Sequence, residues 1–356
     1  MRKKMQKRRE FIKLAGTSAA ALISLNTRLA YSDDREISII KPPKLNRGDT
    51  VGLITPASPL FEANQVVIEA KEKMENLGYQ VKLGKHIYEK WGYLAGSDED
   101  RLEDFHMMIK DPEIKAIIAI RGGYGSGRLL KKLDYDLIKK NPKIIHGYSD
   151  ITSLLVAIHG QTGLITFHGP VAISTFTDYT KKYFYKALSE TDPIGEIEDA
   201  PYEENLQTSN RVWTIRKGIG RGRLTGGNLT LIASLMGTPY EIDTKNKILF
   251  VEEVGEEPQV LDRYLTQLDN AGKLEQCQGI VFDRMKSVHP DDFKASYYST
   301  LSKEEIIADR LGKYNIPACI GLSLGHIANK PTLPLGVECR LDANSGRLTI
   351  LEGAVS

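Results

Sequence analysis

Only three cysteines, Cys277, Cys319 and Cys339, occur in 356 residues. A set so sparse, odd and widely spaced builds neither a disulfide framework nor a zinc motif, although it leaves room for one bridge. Long apolar runs are also missing. Leu14 to Leu25 falls well short of the ~20 residues that a membrane-spanning helix needs, so no stable membrane span is expected. An excess of one charge is absent too. The first 32 residues hold eight of the 48 Lys and Arg and one of the 46 Asp and Glu, which leaves 40 against 45 and a formal charge of −5 for the rest. A mildly acidic chain offers no surface for tracking phosphates, which argues against a nucleic-acid partner. Beyond the N-terminus there is no low-complexity tract, heptad pattern or short repeat. No H-E-x-x-H pattern or Cys/His cluster occurs, so the residues imply no metal and no cofactor.

What is present begins with a sorting signal. Arg8-Arg9 is followed by Glu10, Phe11 and Ile12, then by the short apolar run LAGTSAAALISL. A basic start, a short apolar core and small residues describe an export signal over residues 1–32, here of the twin-arginine type. Export by that route would put the protein in the periplasm. A length of 356 residues accommodates two domains at about 100–200 residues each.

From Lys44 onward, strand and helix patterns alternate. Thr50 to Ile54 reads as a strand, residues 62–78 as a helix, and Tyr79 to Leu83 as a second strand. Ser97 caps a helix that starts at Asp98 and turns Leu102, Phe105, Met108 and Ile109 inward. Ile114 to Ile120 is a third strand. This order indicates an α/β fold with a parallel sheet in the N-terminal domain, residues 44–178. Residues 179–222 are polar and read as a connecting segment. A smaller C-terminal α/β domain, residues 223–354, starts with a glycine turn and a helix at Leu224 to Pro239. It continues with the strand Lys247 to Glu253 and the helix Gln259 to Leu268.

The chemistry concentrates in a few places. In KIIHGYSDITSLLVAI, residues 143–158, a short strand turns sharply into a helix at Gly147-Tyr148-Ser149-Asp150. A serine at such an elbow exposes its hydroxyl while amides at the helix start point the same way. Ser149 then reads as a nucleophile with the Asp150 N–H as an oxyanion donor, or simply as a helix cap. The loop RGGYGSGR, residues 121–128, follows a strand. It reads as a tight turn, as the second wall of an oxyanion site, or as a phosphate loop lacking the Gly-Lys-Ser/Thr ending. Ser126 within it is a rival nucleophile. His168 ends a strand before Gly169-Pro170 and reads as a base or as a buried, loop-bonded group. Glu252 and Glu253 end a strand and must face opposite ways, so at most one reaches a given site. His326 lies in an irregular loop.

Six blocks in order resemble the LD-carboxypeptidase family of serine peptidases. They are R-G-G-Y-G at 121–125, G-Y-S-D at 147–150, H-G-P at 168–170, G-G-N-L at 226–229, L-F-V-E-E-V-G-E at 249–256, and G-H at 325–326 with L-P-L-G at 333–336. The resemblance implies a Ser149, Glu252, His326 triad, with the amides of Gly122 and Asp150 as the oxyanion hole. It implies a two-domain fold with the cleft between the domains, and a homodimer. Its usual substrate is a murein tetrapeptide, cleaved before a terminal D-alanine. A second branch is of the microcin C self-immunity type and hydrolyses a carboxamide joining an amino acid or peptide to a nucleotide-like antibiotic. Two readings from other classes stand beside it: a periplasmic ligand-binding protein, and a nucleotide enzyme using residues 121–128.

Overall fold

The structure is a computed structural model that describes residues 38–201, 211–288 and 300–356. The export signal read over residues 1–32 lies outside them. The first half alternates β1 (Thr50–Ile54), α1 (Ala63–Asn76), β2 (Gln80–Leu83), α2 (Asp98–Lys110) and β3 (Ile114–Ala119). It continues through α3 (Tyr135–Lys140), β4 (Ile144–Gly147), α4 (Thr152–Thr162) and β5 (Thr166–His168). Local chemistry sets the element ends. Ser97 Oγ accepts from the Asp100 N–H, and the Asp100 carboxylate accepts from the Ser97 N–H, which closes a capping box at the start of α2. Asp98, Glu99 and Asp100 fill the first turn of that helix, where carboxylates complement the dipole. Its buried face carries Leu102, Phe105, Met108 and Ile109.

Strands β1 to β5 pair in parallel. A sixth strand, β12 (Leu333–Leu335), joins antiparallel to β5, giving the order β12-β5-β4-β3-β1-β2. The central strands β3 and β4 are buried along almost their whole length and read as largely apolar runs, such as IKAIIA in β3, whereas the edge strand β2 is half exposed.

The second sheet is centred on four parallel strands, β8 (Ile219–Asn228), β9 (Lys247–Glu252), β10 (Gly279–Asp283) and β11 (Ala318–Leu322). Helices α6 (Leu229–Ser234), α7 (Pro258–Asn270) and α8 (Lys303–Leu311) fall between them in the chain. Strands β13 (Glu338–Asp342) and β14 (Arg347–Ile350) extend it antiparallel on the β8 side. This sheet is the wider of the two, eight strands against six. Residues Ser38 to Ser356 form one compact unit.

The segment 179–222 is more structured than its polar composition suggests. It supplies most of helix α5 (Asp178–Ser189), the edge strands β6 (Gly195–Glu196) and β7 (Trp213–Arg216), and the start of β8. Tyr179, Tyr183, Phe184, Ala187 and Leu188 are buried, with lysines between them on the outer face. The apolar signal there has helical spacing and never forms a continuous run. Gly226-Gly227 likewise is no turn. Both residues belong to β8, at φ 146° and 142°, and a Cβ on Gly226 would meet the Phe250 carbonyl. Trp213, Arg216, Lys217 and Arg221 are exposed on β7, β8 and the turn between them. Cys277, Cys319 and Cys339 are buried free thiols.

Candidate active site

Strand β4 ends at Gly147, and the chain turns at Ser149 into a 3₁₀ turn, Ser149–Ile151, that runs on into α4. Ser149 has φ 62°. A serine in the left-handed region is strained, and such strain persists where the surroundings over-determine it. The parallel sheet explains the location: β3 and β4 are neighbours, so their carboxyl ends meet at one edge. There the glycine loop packs on the elbow. A Cβ built on Gly122 would lie 3.0 Å from Ser149 Cβ, 3.2 Å from Ser149 Oγ and 3.3 Å from the Asp150 nitrogen. Only glycine lets the loop backbone come this close.

Two groups clamp that loop. Ser126 is fully buried; its hydroxyl donates to the Asp150 carbonyl, and its N–H donates to Asp150 Oδ2 at 2.8 Å. The rival serine is therefore a tie between loop and elbow. Arg101, 2% exposed, donates to the carbonyls of Pro56 at 2.8 Å and Gly125 at 2.9 Å. Sequence reasoning missed Arg101, which sits on α2 among residues that read as an ordinary charged surface.

Glu252 is the last residue of β9 and has no solvent exposure. The loop from β11 to β12 leaves the second sheet and enters the first, so it passes over the seam between them. His326 rides on this loop, and its Nδ1 lies 2.7 Å from Glu252 Oε2. A Cβ on Gly325 would come within 2.7 Å of that same oxygen and 2.4 Å of Asp283 Oδ2, so the loop packs directly on both carboxyls. The His326 ring stands 4.8 Å from the ring of Tyr148, the neighbour of Ser149. No hydrogen bond joins Ser149 Oγ to His326 among the described residues. Without substrate, catalytic hydrogen bonds are commonly long and close only in the complex.

Glu253 faces the other way, as strand alternation requires. It accepts from Asn228 Nδ2, from the N–H and hydroxyl of Thr230, and from the Val254 N–H. That role belongs to the start of α6. His168 is 1% exposed, with Nε2 3.3 Å from the Leu324 carbonyl, and burial lowers its pKa to about 4. It is a buried, loop-bonded group.

The electrostatics separate two neighbouring carboxyls. Burial pushes Glu252 up, but the hydrogen bond and charge of His326, aided by His168, hold it below the usual range. Burial, followed by the Glu252 charge, pushes Asp283 well above the usual range. A carboxylate held ionised against an imidazole suits a base that must become imidazolium. Asp283 ends β10 and carried no signal of its own in the sequence. Among the described residues, no group of three His, Cys, Asp or Glu is placed to hold a metal ion.

A strained serine at an elbow, amides beside it and a carboxylate-bound imidazole across the seam can support acyl transfer. Comparison with known proteins gives the same class. The model of the LD-carboxypeptidase N-terminal domain matches residues 51–169, and that of the C-terminal domain matches residues 221–341. The chain belongs to the LD-carboxypeptidase family. It is a serine-type carboxypeptidase. A Bacillus subtilis relative described as "Probable murein peptide carboxypeptidase" is 39% identical over 321 residues, covering 89% of this chain and 95% of the relative. The murein tetrapeptide carboxypeptidase of Pseudomonas aeruginosa is 31% identical over 309 residues, covering 83% and 93%. A solved structure of the microcin C7 self immunity protein MccF superposes with a TM-score of 0.80 at 27% identity, covering 89% of this chain and 100% of that one. The first match spans nearly all of the parallel strands β1 to β5, the second includes β9, β10 and β11, and the enzyme class replaces the reading as a ligand-binding protein.

Proposed function

We propose that this LD-carboxypeptidase removes the terminal D-alanine from murein tetrapeptides through Ser149, His326 and Glu252. The observation that carries the reading is the 2.7 Å contact between His326 and a buried Glu252, set across the seam from the strained Ser149. In this mechanism His326 Nε2 takes the proton from Ser149 Oγ as the hydroxyl attacks the carbonyl carbon. The Gly122 and Asp150 amides stabilise the oxyanion. The imidazolium, stabilised by Glu252, then protonates the leaving amine of D-alanine. Water enters with His326 again as base, and the acyl-enzyme is hydrolysed.

The murein-named relatives support this substrate. The likeness to MccF supports a second reading, hydrolysis of a carboxamide in an aminoacyl-nucleotide. The twin-arginine pattern supports action in the periplasm, and the family supports a homodimer. Mass spectrometry on tetrapeptide, pentapeptide and an aminoacyl-nucleotide analogue tests substrate choice, and fractionation of cells carrying the native gene tests the location. The expected result is D-alanine release from tetrapeptide, in the envelope fraction. The terminal bond of a pentapeptide joins two D-centres. Its carbonyl would aim away from the oxyanion amides, at a loss of about 3–4 kcal/mol per donor. Release from pentapeptide alone would refute the specificity, and activity confined to the cytoplasm would refute the location.

A further inference from the structure

Lys330 is a buried lysine whose ammonium forms no ion pair among the described residues. It lies in the β11–β12 loop, four residues beyond His326, and is 4% exposed. Among the described residues its Nζ has neither a hydrogen-bond acceptor nor an ion-pair partner. Instead Nζ sits 4.7 Å from the centroid of the Tyr148 ring, the same ring that packs against His326. The loop around it is fixed to the start of α5. Thr180 Oγ1 donates to the Ala328 carbonyl at 3.0 Å and accepts from the Lys330 N–H at 3.3 Å, and Thr177 Oγ1 donates to Asn329 Oδ1 at 2.7 Å.

Drawing an ammonium out of water without an ion-pair partner is unfavourable. A cation–π contact offsets only part of that cost. The carboxylate that acts on Lys330, Glu252, is already engaged by His326. A carboxypeptidase must distinguish a free chain end from an internal peptide bond, and the chain end carries one carboxylate close to the scissile carbonyl. We propose that Lys330 binds the free carboxylate of the substrate's terminal residue and thereby restricts the enzyme to chain ends. This inference rests on the carboxypeptidase reading above.

The groups around Lys330 set its charge. Burial lowers its pKa to about 8, with Glu252 opposing that shift and Lys286 adding to it. Tyr148 lies against it, with His326 and His168 beyond that ring. In the free enzyme the ammonium form therefore declines as pH rises through about 8. Recognition of a carboxylate declines with it, by about tenfold per pH unit above that point.

The test uses the full-length protein and two substrates, the tetrapeptide acid and the same peptide ending in D-alaninamide. Release of D-alanine or D-alaninamide is measured by mass spectrometry from pH 6 to 9.5, for the wild type, Lys330→Met and Lys330→Arg. The expected wild-type preference is about 10²-fold in kcat/KM for the acid, the size of one buried charge pair. Lys330→Met removes that preference through KM on the acid, while Lys330→Arg keeps part of it. The wild-type ratio of acid to amide also falls above pH 8, a readout that needs no variant to fold. Equal losses on both substrates in Lys330→Met, or a ratio independent of pH, would overturn the proposal. Release from neither substrate by the wild type would overturn the carboxypeptidase reading, and this inference with it.

Discussion

Replacing Glu252 by Gln and, separately, Glu253 by Gln puts the proposed mechanism under a direct test. The two residues are adjacent, both buried and chemically identical, so any difference between them comes from geometry. Glu252 Oε2 lies 2.7 Å from His326 Nδ1. A glutamine there keeps the volume and removes the charge. It can present its NH₂ to Nδ1, which then becomes an acceptor and leaves the proton on Nε2, where the base must be free. In the serine-protease template the equivalent change lowers kcat by about 10⁴, or ~5.4 kcal/mol of transition-state stabilisation. Glu253 instead accepts from Asn228, Thr230 and Val254, all at the start of α6 or beside it. Its replacement weakens hydrogen bonds to a charged acceptor, each worth about 1.5–3 kcal/mol, and leaves the imidazole alone. The Glu253 variant is therefore expected to lose stability in urea and keep kcat within about tenfold. The Glu252 variant is expected to keep its urea midpoint and lose kcat. Purified variants, D-alanine release and urea titration followed by circular dichroism measure both quantities. Equal losses of kcat in the two variants, or a Glu252 variant within tenfold of wild type, would refute the assignment.

Two further outcomes are expected. Ser149→Ala removes hydrolysis, by about 10⁴–10⁶ in kcat, with no change in melting temperature, whereas Ser126→Ala loosens the Asp150 tie and lowers stability more than it lowers kcat. A stable, inactive Ser126→Ala beside an active Ser149→Ala would reverse the choice of nucleophile. Burial holds His146 at about 3 and both His159 and His168 at about 4. Their unfolded pKa is near ~6.5, so on acidification the unfolded chain binds these protons first. Stability should fall from about pH 6.5 towards pH 4, by up to ~1.4 kcal/mol per pH unit for each histidine. Asp150, Glu253 and Asp283 have raised pKa values and oppose the trend in the carboxylate range. Urea midpoints at pH 7, 6 and 5 measure the slope in wild type and His159→Gln, and an identical slope in both would refute the role of that histidine.

Much of this protein is legible in one dimension because its signals are local. Strand β1 and the capped start of α2 follow from apolar runs and from Ser97. The elbow at Ser149 follows from an apolar strand, a short polar turn and a helical face, all within residues 143–158. Alternation along β9 requires Glu252 and Glu253 to part. Helix α5 was hidden because its apolar residues are interleaved with lysines, and the pair Gly226-Gly227 misled because glycine serves close strand packing as well as turns.

The sequence by itself determined the α/β alternation, the nucleophile elbow and the residue types available for acyl transfer, since these depend on neighbours a few positions apart. Only the tertiary structure decided the 2.7 Å contact of Glu252 with His326, that Ser126 is a buried tie, that His168 is enclosed, and that Lys330 stands over the Tyr148 ring. Each of those depends on the β11–β12 loop crossing from one sheet to the other, or on the glycine loop closing on the elbow. Such contacts join residues far apart in the chain, and no local pattern encodes them.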